Sequence, residues 1–337
     1  MILPTRGWTR LLTTTALAFG LAACSQDTSI PVDPGQNTGL SLSGKGKSSQ
    51  STEVQLTDLM TSTNAALASQ GADFRLGKIE AISGDLEQAG ITVLWKNVGN
   101  KQLAHDFVVN DARREWDADP NRITWAIDRG EGVTFNGVPE ATTSGEIEDA
   151  MATWAGTECG KSGLNQVEAP GVDLGLIAFL NGLGGSSTVV ADIQHAGWLE
   201  IEFAGATIAA TFTLIWIDDA GNPTDDDGNG LPDVALREIY YDAICQACAP
   251  VDFWNWEIDD GLNEPGREID IESIALHESG HGLSQNHFGI GFTTHDGTIL
   301  HETSDAVMGA AYAGPRTDLQ GTDNGGHCSN WANWPNS

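Results

Sequence analysis

The chain has 337 residues, 40% of them hydrophobic, with 16 Lys and Arg against 47 Asp and Glu and a formal net charge of −31. That length and apolar content support a sizeable core. The acidic balance excludes nucleic acid as a partner, because phosphate binding needs a basic surface, and suits a soluble extracytoplasmic protein that binds calcium or tolerates salt.

At the N-terminus, Arg6 and Arg10 precede the apolar run LLTTTALAFGLAA, which is too short to span a bilayer as a mature helix. The run ends in LAAC, residues 21–24. This resembles a bacterial lipobox, which implies a signal peptide over 1–23, lipid on Cys24 and attachment to a membrane through that anchor only. Ser25 follows in place of Asp, and the same resemblance then implies the outer membrane of the cell envelope. An ordinary secretory signal and a secreted protein are the alternative. No later segment is long and apolar enough to cross a bilayer. Residues 24–52 are rich in Ser, Gly, Pro and Thr and read as a flexible tether.

With Cys24 committed to lipid, Cys159, Cys245, Cys248 and Cys328 remain. An even number outside the cytoplasm suggests two disulfides, for which three pairings are open. CQAC is also half of a redox or zinc motif, but no second C-x-x-C accompanies it. The favoured pairing is Cys245–Cys248 with Cys159–Cys328.

Residues 53–118 open with the helical pattern TEVQLTDLMTSTNAALASQG and continue into alternating stretches such as ITVLWKNV. They read as an accessory module or pro-region, distinct from a catalytic domain over 119–337. In that domain, 123–128 predicts a strand. TTSGEIEDAMATWAG predicts a helix, with Thr143 and Glu146 at capping-box spacing and Ile147, Ala150, Met151 and Trp154 on one face. LEIEF and IAATFTLIWI predict further strands. GLGGSS is a loop without the strand–turn–helix context of a phosphate cradle. No internal repeat is present, and the mixture of elements predicts an α+β fold.

DDDGNGLPD places Asp225, Asp227, Asn229, the Leu231 carbonyl and Asp233 at positions 1, 3, 5, 7 and 9 of an EF-hand-like loop, with Gly230 at position 6. Position 12 is Leu236 rather than a glutamate. Calcium is a candidate ligand here, and a plain acidic turn is the alternative.

The stretch SIALHESGHGLSQNHFG carries the strongest signal. Asp270 is a candidate N-cap, with Ile271, Ile274 and Ala275 buried. His277 and His281, four residues apart on a helix, project from one face and suit one Zn²⁺. Glu278 points elsewhere and is placed to act as general base. His287, six residues after His281, is the third ligand once the chain turns back. Three imidazoles leave a fourth position open, as a catalytic site requires. The other histidines, His105, His195, His295, His301 and His327, lack metal spacing. His195, with Asp192 three residues before it, is the weakest candidate for a second zinc.

HESGHGLSQNH resembles the zinc signature of the metzincins, and with Leu283 it looks most like the matrixins. AVMGAAYAGPRTDLQGTD resembles their Met-turn, with Met308 beneath the metal as an apolar floor and Tyr312 lining the substrate pocket. The resemblance covers roughly residues 120–330 and is sharpest around the zinc helix and Met-turn. It implies a twisted mixed sheet above an active-site helix, a small C-terminal subdomain, and a zinc endopeptidase acting on protein or peptide substrates. There a metal-activated water attacks the peptide carbonyl and Glu278 serves as general base. The alternatives are a non-catalytic zinc-containing surface lipoprotein and an amidase acting on cell-wall peptides.

The chain also departs from that pattern. Ser284 stands where the family has a glycine, at a turn that favours a left-handed backbone; a serine there costs on the order of 1 kcal/mol and reads as tolerated. Ala310 replaces the proline after the methionine, FGIGFTTHDGTILHETSDA is an insertion near the cleft, and the C-terminal helix is expected short or missing. A cysteine switch is excluded, since Cys24 is the only cysteine before residue 119. His105 and Asp106 are the candidate metal-blocking groups in 53–118.

Overall fold

The computed structural model describes residues 52–84, 90–96, 105–114, 116, 121–160, 162–198, 203, 205–244, 253–258, 268–288 and 305–335, together with the backbone of 290–293 and 299–302. In chain order the elements are α1 (Thr52–Ser69), β1 (Phe74–Ser83), β2 (Ile91–Leu94), β3 (Thr124–Ile127), α2 (Glu140–Ala155), β4 (Asn165–Gln166), α3 (Leu176–Leu180) and β5 (Ile193–His195). They continue with β6 (Thr207–Trp216), β7 (Val234–Tyr241), β8 (Asn255–Glu257), β9 (Glu268–Asp270), α4 (Ile271–Gly282), β10 (Ile290–Thr293), β11 (Ile299–Glu302) and α5 (Gly321–Trp331). The fold is α+β, built on a mixed seven-stranded sheet in the order β2-β1-β6-β7-β5-β3-β4. Strands β4, β3, β5 and β7 run parallel, and β6, β1 and β2 then alternate in direction.

Every residue of β6 and β7 is buried. Two apolar layers explain this, one on each face of the sheet. Successive side chains of a strand point to opposite faces. Phe212 and Leu214 join Leu76 and Ile79 of β1 and Leu56, Leu59, Met60 and Leu67 of α1 in one cluster. Ala209 and Ile215 join Ile193, the α2 face and Ile271, Ile274, Ala275 and Leu276 of α4 in the other. A strand covered on both sides is near-continuously apolar, which is why IAATFTLIWI stands out in the sequence.

The helix over TTSGEIEDAMATWAG starts a turn earlier than its capping-box spacing predicts. Pro139, with φ −66° and ψ 149°, is the N-cap, and its side chain accepts no capping bond. Proline's fixed φ suits the edge of a helix. Thr143 is therefore interior and buried, its hydroxyl donating to the carbonyls of Gly132 and Glu140. The expected apolar face of Ile147, Ala150, Met151 and Trp154 is buried.

Residues 53–118 do not stand apart from 119–337. β1 pairs with β6 from Phe74↔Trp216 to Ser83↔Thr207 and fills the sheet between β2 and β6. All described residues belong to one compact unit, 40–337. The C-terminal helix is present as α5, 11 residues long, with Gln320 and Asp323 forming a reciprocal capping box. Cys159, just past α2, is disulfide-bonded to Cys328 of α5, with a Cα–Cα distance of 5.2 Å. Cys24, Cys245, Cys248 and most of LEIEF lie outside the described residues. No described helix is long and apolar enough to cross a membrane.

Candidate metal centre

Asp270 caps α4 as the sequence predicts, its carboxylate accepting the Ser273 N–H at 2.8 Å. The helix so started carries His277 and His281 one turn apart, both buried. It ends at Leu283, and Ser284 reverses the chain with φ +65°. This left-handed turn brings His287 back. His281 Nε2 lies 3.1 Å from His277 Nε2 and 3.2 Å from His287 Nε2. Three nitrogens at 2.0–2.1 Å from one tetrahedral zinc would stand about 3.3 Å apart. The residues present fit that ion.

The Nδ1 nitrogens of His277 and His281 both have partners. His277 Nδ1 lies 2.8 Å from the Val307 carbonyl, and His281 Nδ1 lies 2.7 Å from the Gln285 carbonyl. A carbonyl only accepts, so each Nδ1 carries the proton and each Nε2 turns a lone pair inward. Burial pushes the His277 pKa down to about 4. Burial first, and then the neighbouring imidazoles, hold His281 and His287 well below the usual histidine value. All three rings are neutral near pH 7, the form a metal requires.

Glu278 is fully buried and accepts the Thr211 hydroxyl at 2.5 Å through Oε2. Its Oε1 has no hydrogen-bond partner among the described residues. Burial raises its pKa well above the ordinary value; the Thr211 bond opposes the shift and the charge of Glu80 adds to it. Met308 is buried against the back of α4, where a Cβ on Gly280 would come within 2.2 Å of its sulfur. Asp323 accepts the N–H groups of Val307 and Met308 at 3.0 and 3.2 Å and so fixes this turn. Tyr312 is half-buried and bonded at two points. Its N–H donates to the Ser83 carbonyl at 2.7 Å, and its hydroxyl accepts the Asp270 N–H at 3.1 Å.

Ser284 is more than tolerated. Its hydroxyl donates to Asp106 Oδ1 at 2.6 Å, and Asp106 Oδ2 accepts from Arg237 at 2.7 Å. Arg237 also donates to the Gly282 carbonyl at 2.9 Å. The turn between the second and third histidines is thus pinned from outside by residues of two other segments. Asp106 has this structural place and is not a metal-blocking group. Nor is His105, which sits 3.7 Å from Asp227 and tilts against the Trp331 ring.

Glu80 and Lys78 were not signalled by any motif. Glu80 is fully buried, with its carboxylate 2.8 Å from Lys78 Nζ and 3.3 Å from His281 Nδ1. Lys78 donates to Asn286 Oδ1 at 2.7 Å, beside His287. Only the lysine–glutamate alternation in GKIEA, two charges in a strand otherwise buried, could have drawn attention to them.

Asp225, Asp227 and Asp233 do come together, each with a carboxylate oxygen within 4.8 Å of the others. Asn229 does not turn an oxygen to them: its Oδ1 accepts the Leu231 N–H and its amide donates to the His105 carbonyl and Asp227. Arg113 lies 3.0 Å from Asp226 and 3.4 Å from Asp233, so a fixed cation already serves part of the cluster.

His195, the weakest candidate for a second zinc, is a hydrogen-bonded histidine, and no group of metal-ligating side chains surrounds it among the described residues. Residues three apart on a strand face opposite ways. Asp192 is taken by Arg114 at 2.6 Å and by Thr124, whereas His195 bonds the Tyr241 hydroxyl at 2.9 Å. His327 is buried against Trp154. The side chains of His295 and His301 lie outside the described residues; the insertion around them contributes the β10–β11 hairpin. No family model matches the chain, and no curated protein is similar to it at a significant level.

Proposed function

We propose that the protein is a zinc-dependent hydrolase of peptide bonds, of the metzincin type that its motif resembles. One observation carries this reading: Nε2 of His281 lies 3.1 Å from Nε2 of His277 and 3.2 Å from Nε2 of His287, and the helix that bears the first two also bears Glu278. Zinc, when bound, supplies Lewis acidity to a carbonyl and its attacking water. His277, His281 and His287 would hold it, and the Nδ1 protons of His277 and His281 are committed to Val307 and Gln285. Glu278 Oε1, free of hydrogen bonds, is the atom that takes and returns a proton, and Thr211 steadies the other oxygen. Met308 fills the floor behind the helix. The signal peptide and lipid anchor, which would put this activity in the cell envelope, rest on the N-terminal pattern of Arg6, Arg10, the apolar run and LAAC.

A second reading is favoured by burial. Glu278 is sealed from solvent and bonded to Thr211, as suits a zinc site kept for structure. The experiment is hydrolysis of a fluorogenic peptide mixture by the metal-analysed protein, with and without chelator. Chelator-sensitive cleavage that returns with Zn²⁺ supports the hydrolase. Stoichiometric zinc without cleavage, and unfolding on chelation, supports the structural site.

A further inference from the structure

We propose that Glu80 of β1 is a positioning residue of the metal centre, its carboxylate set behind Nδ1 of His281 as a balancing charge. The inference rests on the three histidines binding a metal, not on the reaction that follows.

β1 and β6 are antiparallel neighbours, and Glu80 pairs directly with Thr211. Both side chains leave the sheet toward α4. Thr211 reaches Glu278, and Glu80 comes to 3.3 Å from Nδ1 of His281, three residues further along the helix. The two members of one cross-strand pair thus reach successive groups of α4. The His281 N–H is directed to the Gln285 carbonyl at 2.7 Å, and the carboxylate stands behind the same nitrogen as a neighbouring charge without a hydrogen bond of its own. A negative charge behind a metal-ligating imidazole raises the donor strength of the opposite nitrogen.

A carboxylate in this place needs a reason. Its neighbours on the strand, Ile79, Ala81 and Ile82, are buried apolar groups, and burying an ion costs several kcal/mol unless it is well paired. Lys78 gives Glu80 a charge partner at 2.8 Å, yet neither carboxylate oxygen has a hydrogen bond of good geometry among the described residues. Three neutral imidazoles around a divalent cation leave excess positive charge in a dry site. Glu80 lies close enough to be felt by His277, His287 and Glu278. Lys78, anchored on Asn286, faces the same space from its own strand, and Arg237 faces it from β7. A negative charge behind His281 balances the ion where a leucine or valine would not.

The test is the zinc affinity of the full chain, measured by competition with a chromophoric chelator. Wild type is compared with Glu80→Gln and Glu80→Asp, and cobalt-substituted spectra report ligand geometry. Circular dichroism and melting of the metal-free proteins check the fold. Glu80→Gln is expected to fold and to bind zinc about 10–100-fold more weakly, with a shifted cobalt spectrum. Glu80→Asp keeps the charge at a longer distance and is expected to fall between. Wild-type zinc affinity in Glu80→Gln overturns the proposal. Loss of the fold in both variants overturns it too, because Glu80 would then serve the sheet alone. Wild-type protein that binds zinc but cleaves nothing removes the hydrolase reading and leaves this one standing. Active wild type with unchanged affinity in Glu80→Gln does the reverse.

Discussion

The sulfur of Met308 occupies the space that a side chain on Gly280 would need: a Cβ built there lies 2.2 Å from it and 2.9 Å from the Trp154 ring. Gly280 sits inside the H-E-x-x-H segment, where its absence of side chain is a packing requirement. Gly280→Ala should therefore destabilise the protein by about 1–3 kcal/mol through overpacking, although alanine is the better helix former. Denaturant melts of the two proteins check it, and a stabilised variant would show that Met308 moves freely.

Ser284→Gly combines two opposed effects. Relief of the left-handed backbone, φ +65°, returns on the order of 1 kcal/mol. The lost hydrogen bond to the Asp106 carboxylate removes about 1.5–3 kcal/mol. The glycine variant should be less stable than wild type, and Ser284→Ala, which loses the bond and keeps the strain, less stable still. Thermal melts of the three proteins give the order; glycine above wild type would show the bond to be worth little.

Glu278→Gln leaves every histidine in place and keeps a group for Thr211 to bond. Zinc content should be unchanged, and peptide hydrolysis should fall at least 10²–10⁴-fold. Metal analysis and the chelator-controlled assay on the same sample decide it. Full activity at full zinc loading would remove Glu278 from the chemistry.

Acid should weaken the fold through its buried imidazoles. Burial lowers the His195 pKa to about 3 and the His327 pKa to about 4, both from 6.5. A depressed folded-state pKa means stability that is complete above 6.5 and is lost as pH falls toward the folded values. His327 alone accounts for a loss on the order of 3 kcal/mol across that window. Denaturation midpoints of the metal-free protein should drop from pH 7 to pH 4, and His327→Gln should flatten the drop. A slope the same as wild type would contradict a neutral buried ring.

A fragment of residues 119–337 should neither fold nor bind zinc tightly. It lacks β1, leaving β6 as an unpaired edge, and it lacks α1, leaving Phe212, Leu214, Leu236 and Tyr240 uncovered. Size-exclusion chromatography and zinc titration beside the 40–337 chain test this. A monomeric, zinc-binding fragment would restore 53–118 to the status of a removable module.

Helix α4 was legible because its signals are local. Capping by Asp270, the four-residue spacing of two histidines and the return of a third within six residues are written into one short stretch. The strands β3, β6 and the face of α2 were legible for the same reason, through apolar pattern. What the sequence could not display is what meets that stretch from far away. Glu80, Thr211, Asp106 and Asp323 carry no motif, and their roles come from the order in which strands assemble. The expected boundary at 118 failed on the same point: nothing in the composition of 74–83 reveals that its partner is 207–216. His195 and Asp192 look adjacent on paper but face opposite sides of β5.

Lys78 and Asn286 stand 208 residues apart in the chain yet touch beside the histidines. At a synthesis rate of about 5–20 residues per second, roughly ten to forty seconds separate the emergence of β1 from that of the segment it supports. Through that interval β1 has ten residues of strand and no β6 for most of the time. An unpaired strand of this kind is open to pairing with another chain. The histidine segment emerges long after β1, and part of its surroundings, Val307, Met308 and Asp323, emerges later still, so a metal would be held firmly only by a chain in which β1 and the C-terminal segments have already met. Slower translation would lengthen the exposed interval and should raise the aggregated fraction of newly made protein.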